Sequence, residues 1–377
     1  EWHLLGNHLF VNAKALIFSG LYFEGAEANK WLNLGFDILE KQVPEQILSD
    51  GAQFELTPMY HALAIEDLLD LINICEANFL SISSVQKIRV YEWRQLVRKM
   101  LRWLSFMSHP DNKISFFNDA AFGVAPSNTE LFDYAKRLGI QTDKPEAGIT
   151  DLKESGYVRF QTDNAVLIAD LSSVGPDYLP GHAHADTLSF ELSIHGKRIF
   201  VNSGTSKYGK DAERLRQRGT LAHNTVCVEQ TDSSEVWSGF RVGSRAKVTD
   251  RFVVENGTKM YASAAHDGYK RINKNLVHSR NFTLNDNALK IGDNISFPSK
   301  AEVRYHCHPD LIVIKSGYCD GFITTSDGLV LSWYFSGASS VQLIETTWHP
   351  EFGKIVPNKC LIGYFENQNC EFNLDWN

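Results

Sequence analysis

Apolar residues recur every three or four positions through the first 140 residues, and mostly in short or alternating runs after that. Behind Asn7, a residue suited to N-capping, Leu9, Phe10, Ala13, Leu16, Ile17 and Leu21 fall at helical spacing. A second helical pattern covers roughly 26–48, interrupted near Pro44. After a Ser49-Asp50-Gly51 turn, Thr57-Pro58 reads as a helix start, with Thr as cap and Pro in the first position. Leu63, Leu68, Leu69 and Ile72 then form the buried face. Two more helices are predicted over about 85–108 and 129–138.

From about Gly156 the period changes. β-rich runs are predicted at 165–171, 187–194, 198–201, 224–228, 247–254, 282–284, 302–306, 311–315, 330–335 and 341–345, separated by Ser-Gly, Asn-Gly and Asp-Gly turns. In the second run Leu188, Phe190, Leu192 and Ile194 share one face. A helical part over 1–145 and an antiparallel β part over 146–377 follow, an α+β multidomain organisation, with the linker in 141–155.

Composition narrows the class. The 377 residues suffice for two or three domains, and 43% apolar with 22% charged residues is ordinary for a globular chain. No apolar run approaches the ~20 residues of a membrane span. The net charge of −8 by itself argues against a generic polyanion binder, and no nucleic-acid partner is expected. Yet residues 197–280 hold sixteen Lys and Arg against eight Asp and Glu. That excess reads either as solvated strand faces or as a basic groove for an acidic polymer. The six cysteines form no C-x-x-C pair and suggest neither a zinc ribbon nor a disulfide framework. The chain begins at Glu1 just before a helix, which suggests a longer N-terminal part.

Three constellations carry candidate chemistry. His182, His184 and His223 lie outside any long helical pattern, at strand ends. His184 and His223 could ligate a divalent metal with Asn202 adding a carbonyl oxygen; the alternative is hydrogen-bonded histidines ordering a rim. Asn7 and His8 sit where a helix N-terminus would favour an anion. Tyr60 lies in the first turn behind the Thr57 cap, either as a packing aromatic or as a phenol that nearby positive charge makes a base.

The blocks GNHLFVNAKALIFSGLYF (6–23), DGAQFELTPMYHALAIEDLLDLI (50–72), GHAHADTLSFEL (181–192), AHNTV (222–226), SSEVWSGFRVG (233–243) and HDGY (266–269) together resemble the heparinase II/III-like polysaccharide lyases, a superfamily that includes alginate lyases. The resemblance implies an N-terminal (α/α) toroid, incomplete here because only five helices are visible, followed by a large antiparallel β-sandwich. It implies β-elimination on a uronic-acid-containing polysaccharide in the cleft between the two. Asn7 and His8 then neutralise the uronate carboxylate. Tyr60 serves as acid and base, His182 is the second active-site histidine, and Tyr208 an additional catalytic tyrosine. Arg214, Arg216, Arg218 and Arg241 become candidates for binding sulfates or carboxylates. His184, Asn202 and His223 match a structural zinc site, with Asn202 replacing the usual Asp; Gln53 stands where a His is common. No organic cofactor is implied, and the resemblance places the protein in the periplasm or outside a bacterial cell. Two other classes remain open: a catalytically inactive carbohydrate-binding protein of the same fold, and a metal-dependent hydrolase built on His184 and His223.

Overall fold

The computed structural model describes residues 5–257 and 259–376; Glu1 lies outside them. Five helices come first: α1 (Asn7–Tyr22), α2 (Ala26–Gln46), α3 (Pro58–Ala77), α4 (Ser84–Phe106) and α5 (Asn128–Arg137). The capping logic holds for α3, where the Thr57 hydroxyl accepts the Tyr60 N–H at 3.1 Å and Pro58 occupies the first position. Two expectations fail. Asn7 is the first helical residue, not the cap. The cap is Gly6, at φ 66°, with no side-chain bond. Pro44 does not break α2, because the helix ends only two residues later and its inner face is already packed. Leu63 is only half-buried; Ile65, Leu68, Leu69 and Ile72 carry the inner face of α3.

A five-stranded antiparallel sheet follows, in the order β1 (Gly148–Leu152), β2 (Tyr157–Gln161), β3 (Ala165–Asp170), β4 (Phe190–Ile194), β5 (Lys197–Phe200). A short helix α6 (Ala212–Arg218) leads to β6 (Val226–Val228) and the small hairpin β7 (Val236–Trp237) and β8 (Arg241–Val242). The remaining strands are β9 (Val248–Asn256), β10 (Lys259–His266), β11 (His278–Leu284), β12 (Ala288–Ile295), β13 (Ala301–His306), β14 (Ile312–Lys315), β15 (Asp320–Thr324), β16 (Val330–Ser336), β17 (Ser340–Trp348), β18 (Val356–Phe365) and β19 (Asn369–Trp376). They build an eight-stranded sheet, β14-β15-β16-β19-β12-β11-β10-β9, and a four-stranded sheet, β17-β18-β13-β6.

One apolar core joins all three sheets, from Leu167, Phe190 and Leu192 through Phe282 and Ile291 to Val303 and Leu361. A second fills the helical part. A third, smaller cluster sets Trp103, Phe106 and Phe117 against Tyr157, Val166 and Ile168. The first sheet is therefore covered on both faces, which is why β3 reads as an unbroken apolar run instead of alternating. The strand expected from 187 starts only at Phe190. Leu188 takes φ 64°, and the Ser189 N–H closes a turn onto the Asp186 carbonyl at 2.8 Å. That turn redirects the histidine loop before it toward the helices.

Burial has a consequence for acid stability. His61 and His184 are pushed down to about 4, and His223 and His306 to about 3, in each case chiefly by desolvation. These imidazoles stay neutral when folded but take protons when unfolded below their ordinary 6.5. Each withdraws up to about 1.4 kcal/mol of stability per pH unit as pH falls from 6.5 toward those values. Carboxyls raised by desolvation, Glu191 to about 7 together with Glu55, Glu66, Asp67, Asp170, Asp186 and Asp232, work with the opposite sign, but against them stand nine histidines lowered by burial, the four above with His109, His266, His278, His308 and His349. The melting temperature is expected to drop between pH 6.5 and pH 4.5; a flat profile there would contradict the neutral, buried assignment.

Candidate active site

The site forms where the start of α1, the start of α3 and the loop 115–122 meet the loop 178–186 and the chain between β5 and α6. Asp119 is its hidden centre. Its fully buried carboxylate receives a bidentate Arg214 guanidinium, with Nη2 at 2.7 Å from Oδ2. His182 Nδ1 lies 2.9 Å from Oδ2, His184 Nε2 2.9 Å from Oδ1, and the Thr205 hydroxyl donates at 3.2 Å. Burial alone would push the Asp119 carboxyl up. Hydrogen bonds from His182 and His184 and the Arg214 charge outweigh it and hold the group well below its ordinary value. An ionised Asp119 accepts from His182, so the proton sits on His182 Nδ1 and the Nε2 lone pair is left for the cleft.

The tyrosines complete this wall. Tyr60 Oη and Tyr208 Oη are 2.9 Å apart, and the Tyr60 and His182 rings lie 4.0 Å apart between centroids. Burial, the largest influence, raises Tyr60 to about 12; its bond to Tyr208 pulls the other way. Tyr208 is raised further by burial and by Asp119. Both phenols therefore hold their protons at neutral pH. Phe240 closes the wall 5.9 Å from the His182 ring and 5.1 Å from Tyr208.

Asn7 is half-buried and His8 exposed at the open start of α1, and neither side chain is hydrogen-bonded among the described residues. The positive φ of Gly6 seats this start beneath the histidine loop. A Cβ there would lie 2.6 Å from Leu179 Cδ2. Buried Glu55 links the two halves, since its carboxyl feels His182, Asp119 and His8. Burial is the main cause of its upward shift. Gln53 braces it, with Nε2 3.1 Å from the Glu55 carboxylate and Oε1 accepting the Glu55 N–H at 3.0 Å.

The four arginines separate. Arg214 and Arg218 are fully buried and so do not line the cleft, contrary to expectation. Arg214 stacks over Tyr208 and Phe240, with 5.0 and 5.3 Å to the ring centroids, while holding Asp119. Arg218 clamps the Ala183 carbonyl between the two histidines, at 2.9 Å from Nη2. Arg216 is half-buried and spent on Glu213 and Thr347. Only Arg241 is exposed.

The expected zinc ligands do not close into a set. His184 Nδ1 faces His223 Nε2 at 3.2 Å, a pair that could share an ion, but His184 Nε2 is committed to Asp119. Asn202, buried nearby, spends its Oδ1 on the Asn224 N–H at 3.1 Å and its Nδ2 on the Phe116 carbonyl at 2.9 Å. Among the described residues no group of three or more His, Cys, Asp or Glu is placed to hold a metal ion. These residues lack a charged third donor, and no step below runs through a metal.

Asp119 and Glu55 are the residues the sequence reading missed. Asp119 left one trace, an acidic residue inside the apolar stretch Ser115–Phe122. Its partners come from segments 63 and 95 residues away. A larger cavity of about 750 Å³ opens elsewhere, beside α4, α5 and β2, and holds none of this cluster.

A helical part and antiparallel sheets that meet in a His–Tyr–Asp cleft define the class. The profile of the heparinase II/III-like C-terminal domain matches residues 144–377 and that of the heparinase II/III N-terminus matches 1–136, so the chain belongs to this family. Among its relatives is a heparin-sulfate lyase of Bacteroides stercoris, 26% identical over 325 residues, covering 80% of this chain and 45% of that protein. The solved structures of a heparinase III and of a heparan sulfate lyase from Pedobacter heparinus superpose with TM-scores of 0.80 and 0.78. Each is 20% identical and covers 99% of this chain and 60% of the other, a likeness of fold. The chain thus spans about half the length of the curated relative.

Proposed function

We propose that the chain carries the catalytic cleft of a polysaccharide lyase that cleaves a uronic-acid-containing polymer by β-elimination. The observation that carries this reading is the meeting of Tyr60, Tyr208 and His182 over a buried Asp119, from parts of the chain with no packing reason to share a polar cleft. The relatives' names make a heparan-type glycosaminoglycan the first substrate to try. We also read α1–α5 as one arc of an (α/α) toroid and the sheets as a β-sandwich, divided near residue 145. A polymer of this kind is met outside the cytoplasm, which favours a periplasmic or secreted protein.

The chemistry follows from the residue types. The C5 proton of a uronate is scarcely acidic until donors neutralise the adjacent carboxylate and stabilise the enolate-like state that forms. Asn7 Nδ2, His8 and the free N–H groups opening α1 can donate there. The His182 Nε2 lone pair takes the C5 proton, and ionised Asp119 stabilises the imidazolium. Tyr60, still protonated, donates to the 4-oxygen as the C4–O bond breaks and the C4–C5 double bond forms. The proton taken up by His182 then passes to the Tyr60 phenolate beside it, which resets both groups, while Tyr208, the weaker acid, holds the Tyr60 oxygen in place through their shared hydrogen bond. His184, His223 and Asn202 brace the loop and touch no substrate.

The test is a panel of heparan-type polymers, other glycosaminoglycans and alginate, followed by the ultraviolet absorbance of the conjugated 4,5-unsaturated product. A rise with one or more polymers is expected. Products without that chromophore would replace elimination by hydrolysis, and tight polymer binding without turnover would favour a binding protein.

A further inference from the structure

Beside the His182–Tyr208 wall lies a separate cavity of about 480 Å³, lined among others by Tyr178, Pro180, Lys210, Phe240 and Arg241. Phe240 belongs to both spaces, touching His182 and Tyr208 on one side and facing this cavity on the other. Its size suits one or two sugar rings. Tyr178 and Phe240 are 51% and 41% exposed and line the cavity, which gives it aromatic surface suited to stacking on a pyranose.

The charges are the informative feature. Lys210 and Arg241 are exposed, and among the described residues neither pairs with a carboxylate. The nearby Asp211 is already taken by Lys207 at 2.6 Å, and Glu213 by Arg216. A carboxylate at the floor, Glu45, accepts the Tyr178 hydroxyl and makes no salt bridge to either cation, so among the described residues both cations flank an aromatic floor without an ion-pair partner.

The floor is also rigidly mounted. The β7–β8 hairpin carries Phe240 and Arg241, with Trp237 paired opposite Arg241. Arg214 Nε donates to the Gly239 carbonyl at 3.1 Å, so the guanidinium that grips Asp119 also holds the hairpin tip. Gly239 packs onto the Lys210 loop so closely that a Cβ would lie 2.3 Å from the Gly209 carbonyl oxygen. The two cation-bearing segments are therefore locked to each other and to the catalytic centre.

We propose that this cavity is a flanking-sugar subsite, and that Lys210 and Arg241 read an anionic substituent on the sugar next to the cleaved bond. The inference rests on the lyase reading but names the group recognised, a sulfate ester or a second carboxylate. Free cations meeting an anion in a half-open cavity form charge-assisted hydrogen bonds, worth together about tenfold in affinity.

The test is a Lys210→Gln/Arg241→Gln double variant, assayed on a sulfated heparan-type polymer, the same polymer chemically desulfated, and alginate. We expect KM for the sulfated polymer to rise about tenfold, kcat to stay within about twofold, and the desulfated polymer to be unaffected. A KM change confined to alginate would assign the anion as a carboxylate and still support the subsite. Equal changes on all three polymers, or none, would overturn it. Should the wild type turn over no polymer, the lyase reading fails separately. Titration of a sulfated oligosaccharide into both proteins then decides the subsite, which survives only if the variant binds about tenfold more weakly.

Discussion

Replacing Tyr60 by Phe is expected to lower kcat by about 10²–10⁴ while leaving the melting temperature nearly unchanged. The ring remains to pack against His182, 4.0 Å away, and only the hydroxyl is lost. That hydroxyl makes one hydrogen bond, to Tyr208 at 2.9 Å, in a partly open cleft, so its structural contribution is small. Its chemical contribution is large. With the phenol raised to about 12, Tyr60 is a proton donor over the working pH range. A leaving alkoxide without a donor must depart as a strong base. Steady-state kinetics with the unsaturated-product assay measure the effect, and near-wild-type turnover in the variant would remove Tyr60 from the mechanism. A leaving group of lower pKa should rescue Tyr60→Phe in part, because it needs the donor least.

The Asp119→Asn variant should cost as much turnover and also stability. An amide in place of the carboxylate can present its N–H₂ to His182 Nδ1, which favours the tautomer with the proton on Nε2 and fills the lone pair that the proposed elimination requires. Loss through the wrong tautomer is of the order of 10²–10⁴ in kcat. The stability effect has a different source. Arg214 is fully buried, and Asp119 is its ion-pair partner. Removing one member of such a pair costs about 3–5 kcal/mol. The two effects separate in a double variant, Asp119→Asn with Arg214→Gln, where no charge is left unpaired. It should recover much of the lost melting temperature and none of the lost turnover. Recovery of both would make Asp119 a purely structural anion.

Ionic strength adds no escape from this result, since both charges are out of reach of salt. The same burial explains why Arg214 looked like a substrate ligand. In the sequence it belongs to a run, Arg214, Arg216 and Arg218, on a short helix in the basic half of the chain. On a helix Arg214 and Arg218, four positions apart, share the buried face, while Arg216 between them points away from it. One reaches inward to Asp119, one across to Glu213 and Thr347, and one back to the Ala183 carbonyl.

Asn7 is a related case. Its place before a helical pattern is the mark of a cap, and the side chain would then be used up on its own helix. In the folded chain Gly6 takes the non-helical conformation and Asn7 moves one place inward. Its amide stays available, which is what a carboxylate-neutralising role needs.

The sequence by itself determined the local structure and the residue types of the chemistry. Helical spacing, the Thr57-Pro58 start and the change of period near Gly156 follow from side-chain geometry over a few residues, and the fold obeys them. Several strands escaped because polar residues interrupt them. In β12 Lys290 and Asp293 break the apolar pattern, yet Asp293 is buried against Arg280 and His278. Asp119, Glu55 and the fate of each arginine were decided only by tertiary structure. A carboxylate acquires its charge state and partners from groups that meet in space, here from chain segments 63, 65 and 95 residues distant, and no local pattern encodes that meeting. Burial finishes the assignment, since desolvation makes the same side chain a proton donor, a neutral brace or a fixed charge according to what surrounds it.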